Sequence, residues 1–346
     1  MQPAKASCRG RAKLLLLVLV LTTSVPGCFQ LGKPPPAAQT LERTEFMMDT
    51  IVRITYFQPG QGAAVEKALA AMQEIEEKMS AHLDTSEVSA INRAAGLHPV
   101  KVSSQTLQTI MLGLEAGRLT GGAFDITIKP LIDLWGIGKK GDYVPSSEEI
   151  ESARQLVDYR LVRVDQEAGE VMLEKAGMAM DLGGIAKGYA VDEAARVLME
   201  NGVTEALINA GGDIYVLGEK AGGNPWRIAV QHPRRSSDYI AILQLRSISA
   251  VTSGDYERFI DVGGQRYHHI LDPRTGRPPG ELVSATVVAS SAAMADALST
   301  AVFVLGLEPG MALLRSLPGV EGLVVTPAGT VIYTDGLKGK VEVLRW

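Results

Sequence analysis

Between Ser284 and Leu307 the sequence reads SATVVASSAAMADALSTAVFVLGL, and Asp296 is its only charged residue. A stretch with so little to offer water belongs in a core, and its end, from about Ser291 to Leu305, has the composition of an apolar helix. Burying a carboxylate there costs several kcal/mol unless a partner compensates it. Thr300 follows four residues later, so on a helix its hydroxyl faces the same way as the carboxylate. Two hard oxygens at that spacing form half of a Mg²⁺ site, because this ion takes a few protein oxygens and leaves its other positions to water and phosphate. They also allow a plainer arrangement, in which Asp296 caps or salt-bridges locally and Thr300 bonds back to a carbonyl.

A second segment, MDLGGIAKGYAVD from Met180 to Asp192, passes from an expected strand to a helix through Gly183 and Gly184. Paired glycines at such a junction let the backbone approach a ligand. Lys187 then places a cation in the first helical turn, where the helix dipole ordinarily prefers an anion. An anionic ligand reconciles the two, as does a tight turn with a solvated lysine. The spacing matches neither a Walker A loop nor a Rossmann fingerprint. A third segment, HHILDPRTG from His268 to Gly276, spends two of the chain's 5 histidines just ahead of a turn marked by Pro273 and Gly276.

The N-terminus constrains location. Lys5, Arg9, Arg11 and Lys13 precede an apolar run from Leu14 to Leu21, followed by SVPGC ending at Cys28. This is the pattern of a secretory signal, and its apolar core falls short of the about 20 residues that a membrane span needs. SVPGC resembles a bacterial lipobox, so residues 1–27 are expected to be a lipoprotein-type signal peptide. Residues 28–43 are then a lipidated Cys28 with a Pro-rich linker, its Pro34 to Pro36 a stiff spacer, and residues 44–346 the folded domain. An ordinary cleaved signal and an uncleaved anchor are the alternatives. The expected location is exported and lipid-anchored to a bacterial membrane, on its periplasmic or extracytoplasmic face. The other cysteine, Cys8, lies in the leader, which leaves the mature chain no disulfide. Without the leader, 30 basic residues face 39 acidic ones, a net charge of −9 that disfavours nucleic acid and anionic membrane surfaces as partners.

Elsewhere the period of the apolar residues sets the elements. DTIVRITYF alternates as a strand, with Val52, Ile54 and Tyr56 on one face. Val65, Leu69, Met72, Ile75 and Met79 mark an amphipathic helix, and Leu107, Ile110, Met111 and Leu114 a second. Ser146 and Glu149 have capping-box spacing for a third. GMAMDLGG and EALINAGGDIYVLG read as strands on either side of a helix from about Ile185 to Asn201. Hairpin-connected strands with helices grouped between them indicate an α+β fold of mixed or antiparallel sheets, in one large domain or two interleaved lobes.

Eight stretches occur in order: MDT at Met48, TSEVSAIN at Thr85, GAFD at Gly122, DLGGIAKG at Asp181, NAGGD at Asn209, SGDYERF at Ser253, HHILDPRTG at His268 and ADALSTA at Ala295. Together they resemble the FAD:protein FMN transferases, the ApbE family, over nearly the whole mature chain. The resemblance implies a flavin cleft between the lobes. FAD contacts fall on Met48, Ala123, Phe124, Asp125, Asp181, Lys187 and Ile270, and Mg²⁺ ligands on Asp296, Thr300 and the backbone carbonyl of Gly184. His82 departs from the pattern, standing where the family often has tyrosine or tryptophan; an imidazole there can still stack on FAD.

The implied reaction is Mg²⁺-dependent transfer of the FMN moiety of FAD to a threonine or serine hydroxyl of an acceptor flavoprotein, releasing AMP. This is a post-translational flavinylation, with subunits of membrane redox complexes as the expected acceptors. His269 is the implied general base, with a pKa suited to the task. Asp272 either orients it or holds the turn, and His268 has no assigned role. The alternatives are an FAD pyrophosphatase making FMN and AMP, and a non-catalytic flavin-binding lipoprotein.

Overall fold

The computed structural model describes residues 40–220 and 222–346. The expected signal peptide, the lipidated Cys28 and all but the end of the linker lie outside the described residues. In chain order the elements are β1 (Leu41–Met47), β2 (Thr50–Tyr56), α1 (Gly62–Met79), α2 (Glu87–Arg93), β3 (Val100–Lys101), α3 (Ser104–Leu119), α4 (Lys129–Trp135), α5 (Ser147–Arg154), β4 (Val162–Asp165), β5 (Glu170–Leu173) and α6 (Ala186–Glu200). Then follow β6 (Ala206–Ala210), β7 (Asp213–Leu217), β8 (Trp226–His232), β9 (Arg235–Leu245), β10 (Ile248–Gly254), β11 (Phe259–Val262), β12 (Gln265–His268), β13 (Ser284–Ala289), α7 (Ala292–Leu305), α8 (Leu307–Ser316), β14 (Glu321–Val325), β15 (Val331–Tyr333) and β16 (Val341–Val343).

Eight strands form one antiparallel sheet in the order β1-β2-β6-β7-β10-β13-β14-β15. Smaller sheets are β16-β9-β8, β3-β5-β4 and the β11-β12 hairpin. The chain interleaves its parts: α1 to α6 with β3 to β5 are inserted between neighbouring strands β2 and β6, and β8 with β9 between neighbours β7 and β10. The α+β reading holds. Among the described residues no helix is long and apolar enough to cross a membrane.

The apolar stretch explains the layering. Ser284–Ala289 is buried at every position because both faces of β13 are covered. Ala285, Val287 and Ala289 pack with Ala295, Leu298 and Val302 of α7, while Val288 joins Ile228, Val230 and Leu243 of the β8–β9 hairpin. Alternate side chains of one strand thus feed two cores. On the helical side α1 packs on α6 and α6 on α7.

The α6–α7 contact is unusually close at Gly188, where a Cβ would stand 2.2 Å from the Ala292 carbonyl oxygen and 2.8 Å from Ala293 Cα. Gly188→Ala should therefore push the helices apart and destabilise the fold by about 1–3 kcal/mol. A denaturant melt checks this; an unchanged midpoint would show that α7 can shift freely. Asp192, one turn on, ties the same helices together. Its carboxylate accepts Ser291 Oγ at 2.9 Å, Ala292 N at 2.7 Å and Ala293 N at 3.0 Å, which caps α7.

Two sequence readings need correction. GMAMDLGG is not a strand: only Ala179 makes a bridge, a parallel one with Ile128, and the segment is otherwise loop with turns at Gly177 and at Gly183–Gly184. The helices α2, α4 and α8 were not anticipated; α4 and α2 have 7 residues each, too short to display a period.

Candidate flavin and metal site

The antiparallel order brings several motifs to one end of the large sheet. There lie the β1–β2 turn at Met48 and Asp49, the β6–β7 turn at Gly211 and Gly212, the end of β10 at Ser253, and the start of β13. Both short turns require left-handed backbone. Gly211 and Gly212 adopt it freely, at φ of 60° and 99°, but Met48 and Asp49 do so at 54° and 56° without being glycine. For an L-residue this costs about 1–2 kcal/mol, and strain of this kind gathers at functional sites. The two turns touch, since a Cβ on Gly211 would lie 2.2 Å from Thr50 Oγ1.

Asp213 opens β7 straight after the glycine turn and meets Lys187 of α6. Lys187 Nζ lies 2.9 Å from Asp213 Oδ2 and 3.9 Å from Asp296 Oδ2, and both carboxylates are almost fully buried. Asp296 Oδ2 also accepts the backbone N–H of Gly188 at 3.2 Å, one of the first-turn donors that a helix leaves unpaired. The unusual basic residue at a helix start is thus accounted for by two carboxylates brought to it from β7 and α7. Burial works against the Lys187 charge, but Asp213 and Asp296 outweigh it and raise its pKa above the ordinary lysine value. Asp296 is pushed well above the carboxylate range by burial and then by the Asp213 charge, with Lys187 offsetting only part. Two buried carboxylates face one lysine, so Asp296 is held toward its neutral form, and a cation bound beside it would favour the ionised form.

Beside it stands the second hard oxygen. Thr300 Oγ1 lies 3.2 Å from Ser253 Oγ, which in turn lies 2.8 Å from Ser299 Oγ. Gly184 closes on this point: a Cβ there would be 3.0 Å from Phe124 Cε2 and 3.8 Å from Thr300 Oγ1. Asp296 is paired across helices rather than locally, and the hydrogen bond of Thr300 runs to β10 rather than back along α7. Among the described residues no three His, Cys, Asp or Glu side chains gather to hold a metal. A carboxylate, a hydroxyl and a carbonyl, all hard oxygens, nevertheless suit a hard divalent cation.

Of the other expected contact residues, Ala123, Phe124 and Ile270 are buried, and Met48 is half-buried. Asp181 shapes the glycine pair, its Oδ1 accepting Gly183 N at 2.7 Å. The Asp125 carboxylate is spoken for: Oδ1 accepts Thr127 N at 2.7 Å and Thr127 Oγ1 at 2.6 Å, and Oδ2 accepts Tyr159 N at 2.9 Å. Its pKa is raised by burial, which those bonds oppose. Asp125 holds the loop through these three bonds. His82 is exposed in the loop after α1, its N–H on Ser80 Oγ at 3.2 Å, and has no hydrogen bond to the Lys187 cluster.

The two histidines of HHILDPRTG divide sharply. His268 is buried, with Nε2 2.8 Å from the Pro279 carbonyl oxygen and its ring edge-on to Phe303 at 5.2 Å. Burial lowers its pKa. His269 is half-buried just past β12, its backbone N–H donating to the Arg258 carbonyl at 3.0 Å and its Nδ1 3.2 Å from the same oxygen. That contact assigns the proton to Nδ1 and leaves Nε2 as an acceptor. Burial first, then the Arg258 charge and more weakly that of Lys187, bring the imidazole down to about 4 from its ordinary 6.5. Asp272 plays no part in orienting it, because its carboxylate accepts Arg274 N, Nε and Nη2, each at 2.9 Å, and holds the turn. The neutral imidazole is the form that accepts a proton, so with Mg²⁺ saturating, which keeps the Asp296 carboxylate ionised, turnover that depends on His269 should stay level from neutral pH down to about pH 5 and fall toward pH 4. A kcat/KM profile checks this; an acid limb near 6.5 would mean that the imidazole is not held down.

Residues 48–324 match the model of the ApbE family. The chain belongs to the ApbE family. It is 35% identical over 321 residues to the FAD:protein FMN transferase of Treponema pallidum, covering 87% of this chain and 89% of that protein. A Klebsiella pneumoniae protein of the same name is 36% identical over 275 residues, covering 79% and 85%. Among solved structures, the ApbE protein of Thermotoga maritima superposes with a TM-score of 0.81 at 37% identity, covering 87% of this chain and 99% of that one. The flavin transferase ApbE of Vibrio cholerae gives 0.78 at 32% identity, covering 88% and 99%. Within this ApbE chain, sequence reasoning quoted the motifs of Asp213, Ser253 and Arg258 but gave these residues no role. The available signal was an aspartate directly after a two-glycine turn, which binds whatever cation the neighbouring helix start presents.

Proposed function

We propose that this chain moves the FMN moiety of FAD onto a threonine or serine hydroxyl of an acceptor protein. The observation that carries the reading is the meeting of Lys187, Asp213 and Asp296 beside the Thr300 hydroxyl and Gly184, in a chain whose His269 has Nδ1 on the Arg258 carbonyl and Nε2 left as an acceptor. In the proposed step the acceptor oxygen bonds to the FMN-side phosphorus, the bond from that phosphorus to the AMP phosphate breaks, and AMP departs. The hydroxyl proton goes to His269 Nε2. Asp296, Thr300 and the Gly184 carbonyl would hold Mg²⁺, which when bound offsets negative charge on the phosphates. The Gly183–Gly184 backbone leaves room for the dinucleotide, and the strained Met48–Asp49 turn fixes the rim.

The likeness to proteins named FAD:protein FMN transferase supports this reading. Acceptors are proposed to be subunits of membrane redox complexes, reached from a lipid on Cys28 at the extracytoplasmic face of a bacterial membrane. Incubation with FAD, Mg²⁺ and an acceptor domain tests it. Fluorescent label on the acceptor with AMP release is the expected result. AMP without label would make the chain an FAD pyrophosphatase, and neither product would leave a flavin-binding lipoprotein.

A further inference from the structure

SGDYERF contains a side chain, that of Arg258, that neither the fold nor the proton transfer uses. The segment joins β10 to β11 and is fixed at both ends. At one end the Asp255 carboxylate takes both Nη atoms of Arg234, at 2.7 and 2.8 Å, while Asp255 N donates to the Val283 carbonyl at 3.2 Å. Gly254 lets the Tyr256 ring fold back over the chain, since a Cβ there would stand 2.3 Å from Tyr256 Cε1. At the other end the Arg258 carbonyl receives both the N–H and the ring of His269, which extends the Phe259–His268 pairing by one step. A backbone held this firmly delivers the Arg258 side chain to a set place.

That side chain is exposed, and among the described residues no carboxylate lies in ion-pair range of it. Arg234, Arg266 and Arg274 nearby are all paired, with Asp255, Asp261 and Asp272. The Arg258 charge is nevertheless felt inside the site, where it opposes the charge on both Lys187 and His269. A cation set next to another cation, with its backbone locked and its side chain unmatched, lacks an anion.

We propose that Arg258 binds the diphosphate of the dinucleotide beside His269, its planar fork taking phosphate oxygens that become more negative as the nucleotide leaves. The inference deepens the proposed function and rests on it for the substrate class. Arg258 is then a catalytic residue, and its carbonyl and guanidinium couple the base and the phosphates through one residue.

The test titrates FAD and riboflavin, which has no phosphate, into wild type, Arg258→Gln and Arg258→Lys with Mg²⁺ present, following flavin fluorescence. Arg258→Gln should weaken FAD binding by about 10- to 100-fold, the usual effect of losing a charge-assisted contact, while riboflavin affinity and the melting temperature stay put. Arg258→Lys should recover part of the loss as a point charge without the fork. FAD affinity unchanged in Arg258→Gln, FAD and riboflavin weakened alike, or a wild type that binds both flavins equally would each overturn the proposal. An acceptor-labelling assay on the same wild-type sample separates the two readings. A wild type that labels nothing ends the transferase reading, while the selective loss of FAD binding still decides the arginine.

Discussion

Asp296→Ala is expected to abolish Mg²⁺-dependent turnover, a loss of at least about 10³-fold on the several kcal/mol that a metal contributes to phosphoryl transfer, while leaving part of the affinity for FAD. The fold should survive, because Lys187 keeps its 2.9 Å contact with Asp213 and no buried charge is stranded. What disappears is the carboxylate that Gly188 N and Lys187 hold at the α6–α7 contact. Asp296→Asn keeps the shape and loses the charge, so it should fail almost as badly. Turnover compared with and without Mg²⁺ in all three proteins measures this. Activity that persists in both variants with its Mg²⁺ dependence intact would remove Asp296 from the metal site.

His269→Ala should slow transfer by about 10²- to 10⁴-fold, the range typical of a general base. The loss should fall on kcat with little change in FAD affinity, because the ring touches the Arg258 carbonyl rather than the proposed metal ligands. A more nucleophilic acceptor in place of the hydroxyl should recover part of the rate. Single-turnover labelling of an acceptor reads the effect, and a near-normal rate would reduce His269 to a structural group that anchors the Arg258 loop.

Much of this is legible in the sequence. Asp296 stood out because a single charge in an oily stretch demands compensation, and its helix partner Thr300 followed from spacing alone. The alternation in β2 and the helical period from Val65 to Met79 were equally direct, since both elements bury one face against a single core. What compensates Asp296 was not legible. Lys187 and Asp213 lie 109 and 83 residues earlier in the chain, and they meet Asp296 only because α6 abuts α7 at Gly188 and β7 runs beside β10. The family resemblance placed a contact on Asp125, but no spacing rule reveals that Thr127 and Tyr159 bond to both of its carboxylate oxygens. For the same reason Asp272 could be given two roles from the sequence, and only the three Arg274 contacts choose between them. GMAMDLGG looked like a strand because extended backbone beside glycine reads the same whether or not a neighbour pairs with it.

The intact mass of an acceptor fragment coexpressed with this chain probes the central claim most directly. Wild type should add the mass of FMN less one water, on a single threonine or serine, and coexpression with Asp296→Ala should add nothing. An acceptor of unchanged mass in the presence of wild type, FAD and Mg²⁺, with AMP accumulating, would contradict transfer and leave water as the nucleophile.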